Sequence, residues 1–156
     1  MVMTQDLRVF VIDDDPVVVD TLGVLLRANG FPVEGFLSPD RFLARPPDVG
    51  LACVLLDLRL GDRSGIDVQK ELRRKGFTLP IVFLSGQGDV PSTARAMRDG
   101  ALDFLVKPVD EPELHEALAR ARTKALTQRE EEDARRDATE RLARLTRRER
   151  EVCDLI

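Results

Sequence analysis

Cysteine is scarce in this chain of 156 residues. Cys53 and Cys153 are too few and too far apart for a disulfide framework or a zinc cluster. Long apolar runs are missing as well. The longest is Leu51 to Leu56, against the roughly 20 residues that a membrane span needs. Met1 to Asp6 lack the basic and apolar regions of a secretory signal, so a cytoplasmic chain with no membrane partner is expected. There is no Walker-type glycine loop to cradle phosphates. No internal repeat or low-complexity tract is evident either. Nor does one sign of charge dominate: 24 basic against 28 acidic residues leave a net charge of −4, which argues against nucleic-acid binding by the chain as a whole.

What is present is a core-forming share of apolar residues, 43%. The length suits one ordinary domain plus an extension. Composition changes near residue 121. Residues 1–121 carry 14 basic and 19 acidic side chains, whereas residues 122–156 carry 10 and 9 with very few large apolar groups. The first part reads as a globular domain and the second as a solvated extension.

In the first part short apolar runs alternate with helical patterns. The runs are Val9 to Ile12, Ala52 to Leu56, Ile81 to Leu84 and Leu102 to Val106, with a weaker one from Phe31 to Phe36. Runs of this length without polar alternation suit strands covered on both faces. Asp15-Pro16 and Ser38-Pro39 each offer a cap and a first-turn proline, Ser64 opens a third helix, Asp89 precedes a fourth, and a fifth begins around Asp110 to Pro112. Five such units imply a doubly wound α/β domain with an open parallel sheet.

Four of the strands end on polar residues that a core does not explain: Asp13-Asp14, Asp57, Ser85 and Lys107. In an open α/β sheet the carboxyl ends of the strands form the ligand crevice. Two carboxylates about 4 Å apart repel by about 4 kcal/mol at an effective dielectric of about 20, so three of them need a cation. Mg²⁺, a hard ion that takes oxygen ligands and keeps waters, is the natural partner. With Lys107 and Ser85 the rim is suited to neutralise a phosphoryl group. Taken singly, Ser85 reads as a turn residue, Lys107 as a surface lysine and Asp57 as a loop carboxylate. Asp15 reads as a helix cap. It is their joint position, each at the end of its own strand, that speaks for chemistry.

These residues give the chain its likeness to a known family. Val11 to Asp15, Leu55 to Leu60 with Gly65, Ser85-Gly86 and Lys107-Pro108 together resemble the receiver domain of bacterial two-component response regulators. The likeness spans roughly residues 7–122. Gly86 to Pro91, Ala96-Met97 and Gly100-Ala101 are similar to the FixJ-type branch. The resemblance implies a flavodoxin-like (CheY-like) five-stranded parallel sheet in the order 2-1-3-4-5. It implies that Asp57 accepts a phosphoryl group from a sensor histidine kinase, and that Asp13, Asp14, Asp57 and the Arg59 carbonyl hold Mg²⁺. It further implies that Ser85 and Lys107 bind the phosphoryl oxygens, that Phe104 with Ser85 forms the switch, and that Arg59 and Gln87 tune the lifetime of the intermediate. Phe104 reads nearly as well as an ordinary core phenylalanine. A cis Lys107-Pro108 bond is usual in the family. One departure stands out: the family usually has Met-Pro where this chain has Leu60-Gly61, and glycine frees a backbone that proline would fix.

From Glu113 onward the chain reads as one long helix. Leu114, Ala117, Leu118 and Ala121 form an inward stripe. Beyond Leu126 come four i,i+4 pairs, Glu131/Arg135, Glu132/Arg136, Asp137/Arg141 and Glu140/Arg144, each worth roughly 0.2–0.5 kcal/mol. A solvated linker helix explains them. A short dimeric coiled coil along Ala134, Ala138, Leu142 and Leu145 is the alternative. Thr146 with Glu149 forms a capping-box pattern, and Leu145 to Ile156 resembles the opening of the LuxR-type helix-turn-helix domain of the FixJ/NarL group. Its recognition helix is absent, so a truncated piece of a longer transcription factor is expected.

The domain reading is therefore a receiver at 1–122, a helical linker at 123–144 and the start of a helix-turn-helix domain at 145–156. The expected function is a phosphoacceptor regulator, not an enzyme, that forms a homodimer on phosphorylation and meets promoter DNA only through the missing domain. Two rivals remain. One is a Mg²⁺-dependent aspartyl-phosphate phosphatase or phosphotransferase, against which Arg59 counts because haloacid dehalogenase-like enzymes place an acid there. The other is a stand-alone receiver acting as a protein-interaction switch. His115, in the fifth helix, reads as a surface residue.

Overall fold

The computed structural model describes residues 5–86 and 88–154. Its strands are β1 (Arg8–Ile12), β2 (Val33–Phe36), β3 (Ala52–Asp57), β4 (Arg59–Leu60), β5 (Arg63–Ser64), β6 (Ile81–Ser85) and β7 (Asp103–Val106). Its helices are α1 (Pro16–Ala28), α2 (Asp40–Leu43), α3 (Gly65–Arg74), α4 (Val90–Arg98) and α5 (Glu111–Asp154).

The apolar runs become strands because both of their faces are covered. In β1, Phe10 and Ile12 join one buried cluster, while Val9 and Val11 join another on the opposite side of the sheet. In β3, Val54 and Leu56 face the first cluster, and Cys53 and Leu55 the second. The first cluster includes Phe42 of α2 and Leu72 of α3; the second includes Leu22 and Leu26 of α1 with Leu114 and Leu118 of α5. Each fully buried Leu or Phe contributes about 1.5–3 kcal/mol of transfer free energy. Phe42 packs its ring 4.8 Å from that of Phe10 and 5.6 Å from that of Phe36.

All neighbouring pairs of the five-stranded sheet are parallel, in the order β2-β1-β3-β6-β7. Counting only these strands along the chain, this is the expected order 2-1-3-4-5. β4 and β5 form a separate antiparallel hairpin directly after Asp57. Its turn contains Gly61 at φ +61°, a left-handed conformation closed to proline. Leu60-Gly61 thus lies in a short hairpin, whose turn uses the backbone freedom of the glycine.

Local capping follows the sequence. The Asp15 carboxylate accepts from Val17 N–H at 2.9 Å, and Ser64 Oγ accepts from Ile66 N–H at 3.1 Å. Both helices begin there because these side chains satisfy amides that the first turn leaves unpaired. The Lys107-Pro108 peptide is cis.

Helix α5 is continuous over 44 residues. Leu114, Ala117, Leu118, Ala121 and Ala125 are buried, and contact with the body continues to Arg129, 3.5 Å from Asp48, and to Glu132, 3.5 Å from Thr78. Of the four expected i,i+4 pairs only Glu132/Arg136 closes among the described residues, at 3.7 Å. Ala134, Ala138, Leu142 and Leu145 are exposed. Thr146 does not start a new helix. Its hydroxyl donates to the Leu142 carbonyl at 3.0 Å inside α5, so the capping-box reading is corrected by a back-bond that a continuous helix offers the same side chain. Leu155 and Ile156 lie outside the described residues, as do Met1 to Thr4.

Candidate functional site

Strand register brings the rim residues together. Ile12 lies opposite Leu56, so Asp13 and Asp57 emerge beside each other at the carboxyl edge. Asp57 lies opposite Leu84, which puts Ser85 one step beyond, and Ser85 lies opposite Val106, which puts Lys107 next. The backbone ties this edge firmly: Leu58 N–H donates to the Leu84 carbonyl at 3.0 Å, and Lys107 N–H to that of Ser85 at 2.8 Å.

Three carboxylates meet here. Asp13, Asp14 and Asp57 each offer an oxygen, and these oxygens lie within 4.8 Å of one another. Asp13 is fully buried, Asp57 nearly so, and Asp14 is exposed. Asp13 Oδ1 accepts from Asp15 N–H at 2.9 Å. Lys107 Nζ stands 3.1 Å from Asp57 Oδ2 and 2.7 Å from Asp13 Oδ2. It approaches the latter off the direction of an aligned hydrogen bond, so that buried oxygen has no directed donor among the described residues.

The titration behaviour follows from this crowding. Burial pushes the Asp57 carboxyl up to about 6; the Arg59 N–H, 3.2 Å from Oδ1, opposes the rise, the Asp13 charge adds to it, and Lys107 counters it. Burial works to lower the Lys107 pKa, yet attraction to the Asp13 and Asp57 carboxylates outweighs it and holds the ammonium above its ordinary value. One lysine thus compensates three acids only in part. A buried carboxylate oxygen without a directed donor, beside two further carboxylates of which one faces solvent, fits a hard divalent cation that keeps some of its waters. Asp13, Asp14 and Asp57 are the side chains able to hold it.

Not every expected residue points at the cluster. Arg59 gives Asp57 its backbone N–H, but its guanidinium reaches Asp89, with Nη2 2.6 Å from Oδ1. Ser85 is buried at the rim and also lines a largely apolar cleft of about 420 Å³ with Asp89, Thr93, Met97 and Phe104. Phe104 is not a core residue. It is 40% exposed on the edge strand β7, where it lines the open cleft beside α4. Gln87 lies outside the described residues. His115 sits on α5 beside Glu111, away from the acidic cluster. Burial pushes the Cys53 thiol up to about 12, which leaves it an inert core side chain.

Sequence reasoning missed Asp89. It stands where an N-cap of α4 would stand, but its side chain does not cap that helix. Oδ1 takes Arg59, and Oδ2 accepts from Gly86 N–H at 3.0 Å. The only signal was an acid in a glycine-bordered turn between strand and helix, which a cap explains equally well.

The response regulator receiver domain family matches residues 9–119. Response regulator protein TodT of Pseudomonas putida is 36% identical over 148 residues, which is 95% of this chain and 65% of TodT. Transcriptional regulatory protein FixJ of Azorhizobium caulinodans is 35% identical over 154 residues, 99% of this chain and 73% of FixJ. Among solved structures, FixJ-N superposes with a TM-score of 0.72 at 37% identity, covering 77% of this chain and 96% of that one. Full-length FixJ from B. japonicum gives a TM-score of 0.74 at 33% identity, covering 90% of this chain and 69% of that one. The chain therefore spans about two thirds of the length of such relatives. No described helix is long and apolar enough to cross a membrane. A doubly wound parallel sheet with aspartates and a lysine converging at its carboxyl edge, matched over 9–119, places this chain in the response regulator receiver domain family.

Proposed function

We propose that this chain is the phosphoacceptor and linker part of a transcriptional response regulator, with Asp57 accepting a phosphoryl group from a sensor histidine kinase. The observation that carries the reading is Lys107 Nζ held between Asp13 and Asp57 at 2.7 and 3.1 Å. A positive charge fixed against the acceptor carboxylate stabilises the charge that builds on phosphoryl oxygens as they arrive.

In the transfer, an Asp57 oxygen forms the new P–O bond as the P–N bond to the donor imidazole breaks, and the imidazole keeps the electron pair and takes a proton. Asp57 must be ionised to attack, which at neutral pH it is, with a pKa of about 6. Asp13, Asp14 and Asp57, with the Arg59 carbonyl, would hold Mg²⁺, which when bound supplies positive charge to acceptor and phosphoryl oxygens alike. Lys107 orients the acceptor and pairs with one phosphoryl oxygen. Ser85 donates to another and moves inward, Phe104 changes rotamer beside it, and the face of α4, β7 and α5 is remodelled into a dimer surface.

Residues 1–122 then form the receiver and residues 123–144 the linker, with 145–156 the start of a helix-turn-helix output domain. The similarity to FixJ, a transcriptional regulatory protein, supports that output. Promoter DNA would be reached only through the rest of that domain, in a cytoplasmic protein. The phosphatase reading has little support: the position two residues after Asp57 holds Arg59, whose guanidinium is already engaged by Asp89.

Incubation with Mg²⁺ and a small acyl phosphate should add one phosphoryl group to the chain and none to Asp57→Asn. Equal mass gain in both chains would refute the assignment.

A further inference from the structure

We propose that Asp89 is a positioning residue that holds the resting state, and that a phosphoryl group on Asp57 competes with it for the Arg59 guanidinium. The inference rests on the phosphoacceptor reading above and deepens it.

Asp89 joins two loops that meet at the site. Its side chain is 6% exposed and both of its oxygens are engaged, Oδ1 by Arg59 and Oδ2 by Gly86 N–H at 3.0 Å. Gly86 directly follows Ser85, and Arg59 contacts Asp57 through its own N–H at 3.2 Å. One carboxylate therefore links the residue touching the acceptor to the residue beside the rim hydroxyl.

The Arg59 end is the one free to change. Its side chain is 80% exposed, and among the described residues the ion pair is what holds it to Asp89. The Arg59 N–H, 3.2 Å from Asp57 Oδ1, keeps the root of the Arg59 side chain beside Asp57. Phosphorylation replaces the single charge of the Asp57 carboxylate by close to two on the phosphoryl group, a net gain of about one, with oxygens that accept a guanidinium fork better than a lone carboxylate oxygen does. Arg59 then has a stronger partner than Asp89. Once Arg59 turns to it, the Asp89 carboxylate is left nearly buried with half of its bonding lost, which favours movement of Asp89 together with Gly86. Asp89 directly precedes α4, and both residues border the cleft lined by Ser85, Thr93 and Phe104. The exchange thus reaches the α4 face through charge, alongside the movement of the Ser85 hydroxyl.

Asp89→Asn separates the two bonds, since its amide oxygen still accepts from Gly86 N–H while the negative charge that held Arg59 is removed. The test is affinity for the phosphoryl mimic beryllium trifluoride in the presence of Mg²⁺, followed through backbone amides by NMR. Removing a tie that favours the resting state raises apparent affinity by the factor the tie contributed. For a pair with one exposed partner, Asp89→Asn should bind the mimic about three- to fivefold more tightly. In an Arg59→Ala background the same substitution should change affinity little, because the tie is already gone. A purely structural role for Asp89 would give the same change in both backgrounds, and that result overturns the proposal. So does unchanged or weaker binding by Asp89→Asn when the wild-type chain binds normally. A wild-type chain that binds no mimic and gains no phosphoryl mass overturns this proposal together with the phosphoacceptor reading.

Discussion

Gly65 lies directly against Asp57: a Cβ on Gly65 would fall 2.2 Å from the Asp57 carbonyl oxygen and 3.0 Å from the Leu58 Cα. The contact is with backbone, so no side-chain rotation can relieve it. Gly65 N–H also donates to the Leu58 carbonyl at 2.8 Å, which locks the start of α3 onto the end of β3. Gly65→Ala should cost about 1–3 kcal/mol of stability through overpacking. It should also slow phosphoryl uptake by displacing the acceptor. Chemical denaturation and the rate of mass gain, measured on the same sample, check the two effects.

The raised pKa of Asp57 sets a direction for stability against pH. Its folded value of about 6 exceeds the ordinary 3.8, so the folded state binds the proton more tightly than the unfolded one. Stability contributed by protonated Asp57 is therefore complete below about 4, falls as pH rises to about 6, and is absent above that. Asp57→Asn should stabilise the metal-free chain at pH 7.5 by roughly 1 kcal/mol, or ~2–4 °C in Tm. The gain should vanish near pH 4. Mg²⁺ should raise the wild-type Tm by compensating the charge of the buried carboxylates, and Asp14→Asn should weaken that rise. Thermal scans across pH, with and without Mg²⁺, decide both points.

Lys107 supplies the compensating charge inside the cluster. Lys107→Met leaves the fully buried Asp13 and the neighbouring Asp57 without their ammonium. It should destabilise the metal-free chain by about 1–3 kcal/mol at pH 7.5. The loss should shrink under saturating Mg²⁺, which replaces part of the missing charge. An equal loss with and without Mg²⁺ would count against a shared site.

Phe83 and Phe104 sit opposite each other in register but differ in burial. Phe83 is fully buried on a central strand, whereas Phe104 is 40% exposed on the edge. Phe83→Ala should cost about 3–5 kcal/mol. Phe104→Ala should cost only about 1 kcal/mol. Similar losses in urea denaturation would be incompatible with Phe104 at the surface.

Much of this was legible in the sequence, for identifiable reasons. The strands could be read because runs such as Val9 to Ile12 feed both faces of a covered sheet, and hydrocarbon at every consecutive position suits a segment with no solvent-facing side. The rim could be read because Asp13, Asp57, Ser85 and Lys107 are polar where a core would want hydrocarbon. The exposure of Phe104 could not: the expected order 2-1-3-4-5 puts its strand at the edge, but how far a neighbouring helix covers one side chain there depends on tertiary packing. Nor could Asp89, whose partner Arg59 lies 30 residues earlier and reaches it only once two loops meet. Thr146 misled because a threonine four residues after a helical carbonyl bonds back to it as readily as it caps a new helix. At Gly61 backbone freedom was visible from the residue type, but the turn that uses it comes from the pairing of Arg59 with Ser64 and of Leu60 with Arg63.

Everything proposed for this site turns on Asp57, one carboxylate among three, carrying the phosphoryl group. Borohydride reduces an acyl phosphate to an alcohol, so treating the phosphorylated chain should turn its acceptor aspartate into homoserine. Peptide mapping by tandem mass spectrometry should find homoserine at position 57 and aspartate retained at 13 and 14. Homoserine at 13 or 14, with position 57 unchanged, would overturn the assignment.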